Sequence, residues 1–365
     1  MSVATSSLSS PIKFADASEA KNRFVKGSCQ EGLANPLNDP THQLDQLYRC
    51  WSEGGSGVII SGTVWINRSD NTPQGDLVLD DESDMVAYRR LAKAGQVNNS
   101  QSWLQLGYYC ISPESSINDL GSESLMAIIQ EFVQASRRAE LAGFSGVQIA
   151  AHGGHFLGAS LNEEVNQRSD MWGGDGGRRA SLVIAILTEI RKAVQPNFLV
   201  SLTLDVAAFA SDDEGESTQH FVSLLNQHLA SIQLIGKMTL ESLAEQFTET
   251  AMIGSVDACV FQEDTHLPFT TPFDLIAFDR HCVLMPDLPK QMLANPQFKW
   301  PSSWPSDTAT SKASSQLSSW YQCQMYLLAM GKKIHPRAGE FILGLRVALL
   351  RWRSERAQRR LFGSR

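Results

Sequence analysis

The stretch AGFSGVQIAAHGGHFLGASLNEEVNQRSDMWGG, residues 142–174, decides how this chain is read. Residues 146–151 (GVQIAA) carry no charge and are almost wholly apolar, as expected of a parallel strand buried on both faces. Before them, residues 122–141 set Leu125, Ile128, Ile129, Phe132 and Val133 at helical spacing, followed by Ala139 and the stop signal Gly143. After them comes a glycine-rich loop with two histidines, His152 and His155, and then a second helical pattern over residues 178–194. Helix, buried strand and helix in succession are the unit of an α/β fold with a parallel sheet.

The same unit recurs in both directions. Apolar runs at 24–28, 57–62, 103–107, 146–151, 199–205, 231–236, 256–262 and 274–279 read as eight strands. Helical patterns at 41–51, 122–141, 178–194, 217–229 and 239–250 alternate with them. Eight such strands predict a (β/α)8 TIM barrel, with an open doubly wound sheet as the alternative. The region of strands six to eight looks shortened, because HLPFTTPF (266–273) holds two prolines and has no room for a helix. The barrel is expected to span residues 1–294. Residues 295–365 would then add a Pro-, Ser- and Trp-rich wrap over 295–319 and a C-terminal helical extension, of which 341–360 read as an amphipathic basic helix docked with its arginines in solvent.

A net charge of −8 argues against nucleic acid as the main partner and for a small-molecule substrate. The six cysteines form no CxxC pair, which fits reduced thiols better than disulfides or a zinc site. No apolar run approaches a membrane span, and the polar start MSVATSSLSSPIKF lacks the core of a secretory signal, so a cytoplasmic protein is expected. A homodimer is left open.

In a barrel the chemistry sits at the C-terminal ends of the strands. The polar residues there are Gln30, Glu31, Ser61, Thr63, Gln105, His152, His155, Thr203, Asp205, Lys237, Glu263, Asp264 and Arg280. His152, His155, Asp205 and Asp264 could converge on a metal, but no ligand spacing is diagnostic, and no metal is expected. Lys237 would suit a Schiff base only if buried, whereas a solvated lysine is the commoner case. GxSxG, GxGxxG and P-loop motifs are absent.

The quoted stretch, continued to Arg179, resembles the old yellow enzyme family of FMN-dependent oxidoreductases. The likeness rests on Ala142-Gly143-Phe144, Gly146-Val147, Asn166, Arg168, Asp170, Trp172, Gly173-Gly174 and Arg179. KNRFVKGSCQEGLA (21–34), RCWSEGGSGVIISGTV (49–64), WLQL (103–106), DLIAFDR (274–280) with PDLPK (286–290), and WYQCQMYLLAMGKK (320–333) extend it in order and spacing, the last towards fungal members. Between residues 204 and 272 it is thin.

The resemblance implies FMN at the barrel mouth and NAD(P)H as reductant. Gly27, Ser28, Cys29 and Gln30 would lie along the flavin, Gly62 would let it approach the second strand, Gln105 would bind its pyrimidine edge, and Arg280 would reach its phosphate. The family's substrate-gripping pair, HxxH or HxxN, falls on Ala150 and Gly153, which cannot donate a side-chain hydrogen bond. Its proton-donating tyrosine falls on His155, which can act as a general acid, with His152 beside it. Thr203 stands where the family places a cation against the flavin. The expectation is therefore an FMN-dependent NAD(P)H oxidoreductase with an altered substrate grip, acting on a specialised metabolite. The alternative is a relative that binds flavin weakly or not at all and isomerises, cyclises or merely binds its ligand.

Overall fold

The computed structural model describes residues 8–14, 18–110, 112, 117–205, 215–235, 247–248, 250–255, 273–295, 298 and 311–335, with a few positions between 342 and 349. Eight parallel strands form one ring: β1 (Phe24–Lys26), β2 (Val58–Trp65), β3 (Gln101–Gly107), β4 (Gly146–Ala151), β5 (Leu199–Asp205), β6 (Ser231–Ile235), β7 (Ala251–Ser255) and β8 (Leu275–Ala277). Each pairs with its neighbours in sequence, and β8 returns to β1, so the ring is closed and its eight strands leave no free edge. The expected (β/α)8 barrel is the observed fold.

Helices pack outside the ring. They are α1 (His42–Glu53), α2 (Met85–Gly95), α3 (Ser122–Leu141), the short α4 (Phe156–Leu161), α5 (Gly176–Ala193), α6 (Gly215–His228), α7 (His281–Leu284), α8 (Leu288–Ala294) and α9 (Ser311–Ala329). Side-chain caps set three of their starts: Thr41 accepts from Leu44 N, Asp84 from Val86 and Ala87 N, and Asp175 from Arg178 N. Among the described residues no helix is long and apolar enough to cross a membrane.

Alternation along the strands builds the interior in layers. Outward residues such as Phe24, Ile59, Leu104, Val147, Ile149 and Val200 join the core beneath the helices. Inward residues at the base, among them Val25, Val58, Ile60, Trp103, Leu199 and Leu275, form a separate apolar floor. An N-terminal hairpin, Ile12–Lys13 paired with Glu19–Ala20, closes this floor from below, and Phe14 meets Trp103 edge-on with ring centroids 5.7 Å apart. Above the floor lies a belt of amides. Gln105 Nε2 donates to Gln148 Oε1 at 2.9 Å, Gln148 Nε2 donates to Gln233 Oε1 at 3.3 Å, and Ser231 Oγ donates to Ser201 Oγ at 2.9 Å. These side chains are buried and satisfy one another, which makes a polar layer tolerable inside a barrel.

Two expectations need correction. The seventh strand is Ala251–Ser255, which pairs with both β6 and β8. The apolar run expected there, 256–262, lies outside the described residues, and the misreading came from its higher β-propensity. The wrap expected over 295–319 is interrupted, because α9 begins at Ser311. Its serine-rich first turns (SKASSQ) read as loop in sequence, yet they lead into a helix whose Trp320, Tyr321, Met325 and Leu327 are buried, so tertiary packing overrides local propensity. The helix α2 was not anticipated. The helix expected over 239–250 and most of that over 341–360 lie outside the described residues.

Phe14→Ala should cost about 3 kcal/mol of unfolding free energy, the usual penalty for an aromatic removed from a closed core. Urea titration of the two proteins measures it, and a loss below about 1 kcal/mol would show that the hairpin does not stopper the floor.

Candidate active site

The C-terminal rim is assembled first by the segment leaving β1. The Gln30 amide clasps β2 at Thr63: Nε2 donates to the Thr63 carbonyl at 3.3 Å and Oε1 accepts from the Thr63 N–H at 2.9 Å. Glu31 accepts from Gly62 N with both oxygens, at 3.0 and 3.1 Å, and from the Tyr48 hydroxyl at 3.1 Å. A Cβ on Gly62 would lie 2.5 Å from Glu31 Oε2 and 2.8 Å from the Cys29 carbonyl, so the clasp itself requires glycine there. Gly27 is constrained in the same way, since a Cβ would fall 1.6 Å from Asp279 Oδ1 at the end of β8.

Lys26 is fully buried but faces α1 rather than the mouth. Its Nζ donates to the Ile60 carbonyl at 3.1 Å, lies 3.6 Å from Glu31 Oε1 and sits 4.1 Å from the centroid of the Trp51 ring. Arg68 is likewise committed elsewhere, to Asp80 at 3.0 and 3.1 Å and to the Leu37 carbonyl. Neither can supply a positive charge inside the mouth. Lys237, Glu263 and Asp264 lie outside the described residues.

The inner wall of the rim is neutral and tightly bonded. Ser28 Oγ and Thr63 Oγ1 donate to Gln105 Oε1 at 2.9 and 3.0 Å, while Gln105 Nε2 reaches Thr203 Oγ1 at 3.4 Å as well as Gln148. Ser28, Gln105 and Thr203, singled out separately in the sequence, are thus one connected group. Burial pushes the Cys29 thiol up to about 12, so it remains a thiol at neutral pH. Arg280 opens α7, and its guanidinium lies 5.6 Å from the Tyr321 ring centroid of α9. The helix α9 therefore backs the rim at β8.

Across the mouth, the loop after β4 brings His152 and His155 together, with ring centroids 4.5 Å apart at 71°. Trp65 at the end of β2 lies over His155 at 5.8 Å and is itself met edge-on by Tyr109 at 5.2 Å. Its indole N–H donates to Asp76 Oδ2 at 3.0 Å, which fixes the ring. His155 Nδ1 is buried without a hydrogen-bond partner, close to Gly107, where a Cβ would lie 3.3 Å from it. Burial first, and then the neighbouring His152, hold His155 down at about 3, so it is a neutral imidazole at neutral pH. Burial also lowers His152, while the Asp205 carboxylate acts in the opposite direction. Ala150 is buried and paired in register with Thr203, and Gly153 is exposed. Trp65 and Tyr109 escaped the reading of the sequence because an aromatic at a strand end looks like ordinary core. Among the described residues no group of His, Cys, Asp or Glu is arranged to hold a metal ion.

The residues that stood out most in sequence do different work. Asn166 Nδ2 donates to the carbonyls of Ser160 (2.6 Å) and Trp172 (2.8 Å). Arg168 donates to the carbonyls of Ile117 and Leu120 at 2.8 and 2.6 Å and forks onto Asp170. Arg179 donates to the carbonyls of Leu161 and Gly174 at 3.2 and 2.6 Å. A Cβ on Gly173 would clash with Arg168 Cβ at 2.5 Å. This set locks the long β4–α5 connection to the segment before α3, and so holds the histidine loop from behind.

Comparison with known proteins places this architecture. The sequence profile of the NADH:flavin oxidoreductase / NADH oxidase family matches residues 109–292. The NADH-dependent flavin oxidoreductase iliE of Hypocrea jecorina is 27% identical over 224 residues, covering 50% of this chain and 56% of that protein. Its namesake from Neonectria sp. is 27% identical over 244 residues, covering 56% of this chain and 32% of that protein. The chain thus spans at most about half the length of these curated relatives. The Old Yellow Enzyme of Pichia sp. AKU4542 superposes with a TM-score of 0.70 at 17% identity, covering 81% of this chain and 89% of that one. Morphinone reductase superposes with a TM-score of 0.67 at 19% identity, covering 83% and 93%. At such identities the likeness is one of fold.

The neutral, buried His155 ties stability to pH. The unfolded imidazole takes up a proton below about 6.5 and the folded one only near 3, so between these values the unfolded state binds more protons. Stability should therefore fall on acidification from pH 6.5, at up to about 1.4 kcal/mol per pH unit from this residue. Denaturant titrations from pH 7 to 4.5 should show a shallower fall for His155→Gln; equal slopes would place His155 in water.

Proposed function

The chain belongs to the NADH:flavin oxidoreductase / NADH oxidase family, and from that membership we propose that it is an FMN-dependent oxidoreductase that takes its electrons from NAD(P)H. The observation that carries the reading is the neutral wall of Ser28, Gln105 and Thr203. The pyrimidine edge of a flavin alternates carbonyls with an imide N–H. Gln105 spends both faces of its amide on its neighbours, and the hydroxyls it orients keep a lone pair at Ser28 and a proton at Thr203, an acceptor and a donor for such an edge. Arg280, at the end of β8, offers a guanidinium to the phosphate. The described residues fit the group on these counts. In this reading Gly27, Cys29, Gln30 and Gly62 lie along the flavin, and Gly62 also serves the clasp from β1.

When bound, the flavin supplies two-electron transfer between the nicotinamide and the substrate. The chain's own residues bind, orient and protonate. Ala150 and Gly153 offer the substrate no side-chain hydrogen bond, so the grip passes to His155 and His152, and Trp65 provides a flat apolar wall beside them. Such a pocket suits a small, planar, conjugated molecule. We take that molecule to be a specialised metabolite.

Thr203 favours a second reading. A cation at that place would stabilise an anionic reduced flavin, and a buried hydroxyl does so less. A non-redox isomerase or cyclase would use the same histidines without the flavin.

The purified protein should be yellow, carry flavin in stoichiometric amount and bleach on anaerobic addition of NADH or NADPH. Added FMN should raise its Tm, as any ligand of the native state must. Gln105→Leu, which removes the partner that orients the Ser28 and Thr203 hydroxyls, should weaken FMN binding about tenfold, the worth of about one or two hydrogen bonds at a buried site. A colourless protein whose Tm ignores FMN would leave the non-redox reading standing. Turnover unchanged in His155→Phe would remove His155 from the substrate's grip.

A further inference from the structure

The two imidazoles at the mouth stand in different company. β4 and β5 run in register, Ala150 against Thr203 and Ala151 against Leu204. His152, the next residue after β4, therefore leaves the sheet beside Asp205, the last residue of β5. The carboxylate reaches this loop, since its Oδ2 lies 3.8 Å from where a Cβ on Gly153 would be. On the other side of His152 stands His155, at 4.5 Å between centroids, backed by Trp65 and packed against Gly107 with its Nδ1 unpaired. Asp205, His152, His155 and Trp65 thus follow one another across the mouth from β5 to β2.

We propose that His152 is the proton carrier of this site, that Asp205 is a positioning residue that orients His152 and stabilises its charged form, and that His155 remains a neutral imidazole that hydrogen-bonds the substrate. Burial disfavours the charged form of both rings, but an anion works against it at His152 alone, while His155 has no anion beside it and meets the other ring 4.5 Å away. Environments that drive two like groups apart assign them opposite tasks. Among the described residues, the titratable groups facing His152 are Asp205 from β5 and His155 from its own loop, and the Gly153 backbone bonds its ring. His155 is faced by His152, and by the uncharged Trp65 from β2.

The step is a proton transfer. The N–H bond of the His152 imidazolium breaks, the proton goes to the substrate atom that has gained an electron pair, and the bonding pair remains on the ring nitrogen. Water then reprotonates the neutral ring. The electron pair on the substrate comes from NAD(P)H in the proposed oxidoreduction, and the assignment rests on that reading for its substrate.

Two measurements on the full chain test the division. Histidine side-chain NMR, with selective isotope labelling, should show the His152 midpoint moving down by about one pH unit in Asp205→Asn, with part of the shift recovered in Asp205→Glu. His155 should stay neutral from pH 5 to 8 in every variant. The kcat–pH profile of the flavin-loaded enzyme should fall as His152 deprotonates, and that limb should move to lower pH in Asp205→Asn with KM little changed. His155→Gln should instead raise KM severalfold and leave the limb in place. A His152 midpoint unmoved by both Asp205 variants, or a limb that disappears with His155→Gln, would overturn the assignment. Absence of any NAD(P)H turnover would fail the oxidoreductase reading, and the NMR shift would then decide this one alone.

Discussion

The Gln105 amide is the interaction on which the mouth of this barrel depends. One buried side chain accepts from β1 and from β2, through Ser28 and Thr63, and donates to β4 and towards β5, through Gln148 and Thr203. Four strands are thereby held to a fifth by a group without net charge. An ion in its place would need a counter-ion and would carry several kcal/mol of desolvation. The amide instead exchanges hydrogen bonds with water for equivalent bonds inside, and orients the Ser28 and Thr203 hydroxyls, which keep an acceptor and a donor of their own. The apolar floor below and the histidine loop above are positioned relative to this belt.

Scaffold and chemistry are separated along the chain, even where they adjoin. The residues from Asn166 to Arg179 spend their hydrogen bonds on backbone carbonyls of neighbouring loops, and Gly173 is glycine because Arg168 occupies the space a side chain would need. A few residues earlier, Ala150, His152, Gly153 and His155 face the mouth and make few such commitments. The lock can therefore persist while the loop it holds changes its reactive groups. Such a division lets one framework carry different chemistries.

Much of the fold was legible because buried parallel strands and amphipathic helices write strong periodicities. β4, β5 and α3 emerged with the boundaries they have in the structure, and the ring closure followed from their number. The seventh strand was misplaced because AMIGS, with its small residues, competes poorly with the run that follows it, whose Val256, Val260 and Phe261 favour strand more. α2 was missed because its apolar face is made largely of alanines, with Tyr88 and Leu91 the only large buried side chains. In the site, Ser28, Gln105, Thr203 and both histidines could be nominated one by one. Their mutual bonds could not, since those depend on strand register and on rotamers. Trp65, Tyr109 and the loop-facing carboxylate of Asp205 became meaningful only when β2, β3 and β5 were set beside the histidine loop.

The N-terminal hairpin has a consequence for traffic. With Phe14 against Trp103 at the apolar floor, side chains fill the described N-terminal end of the barrel, and the rim is the end left for ligands. In the oxidoreductase proposed for this chain, the donor and the acceptor of electrons would use that rim by turns, each leaving before the other enters. Such an enzyme would be slowed by an excess of either visitor, and its rate would be governed as much by departures as by the reaction between them.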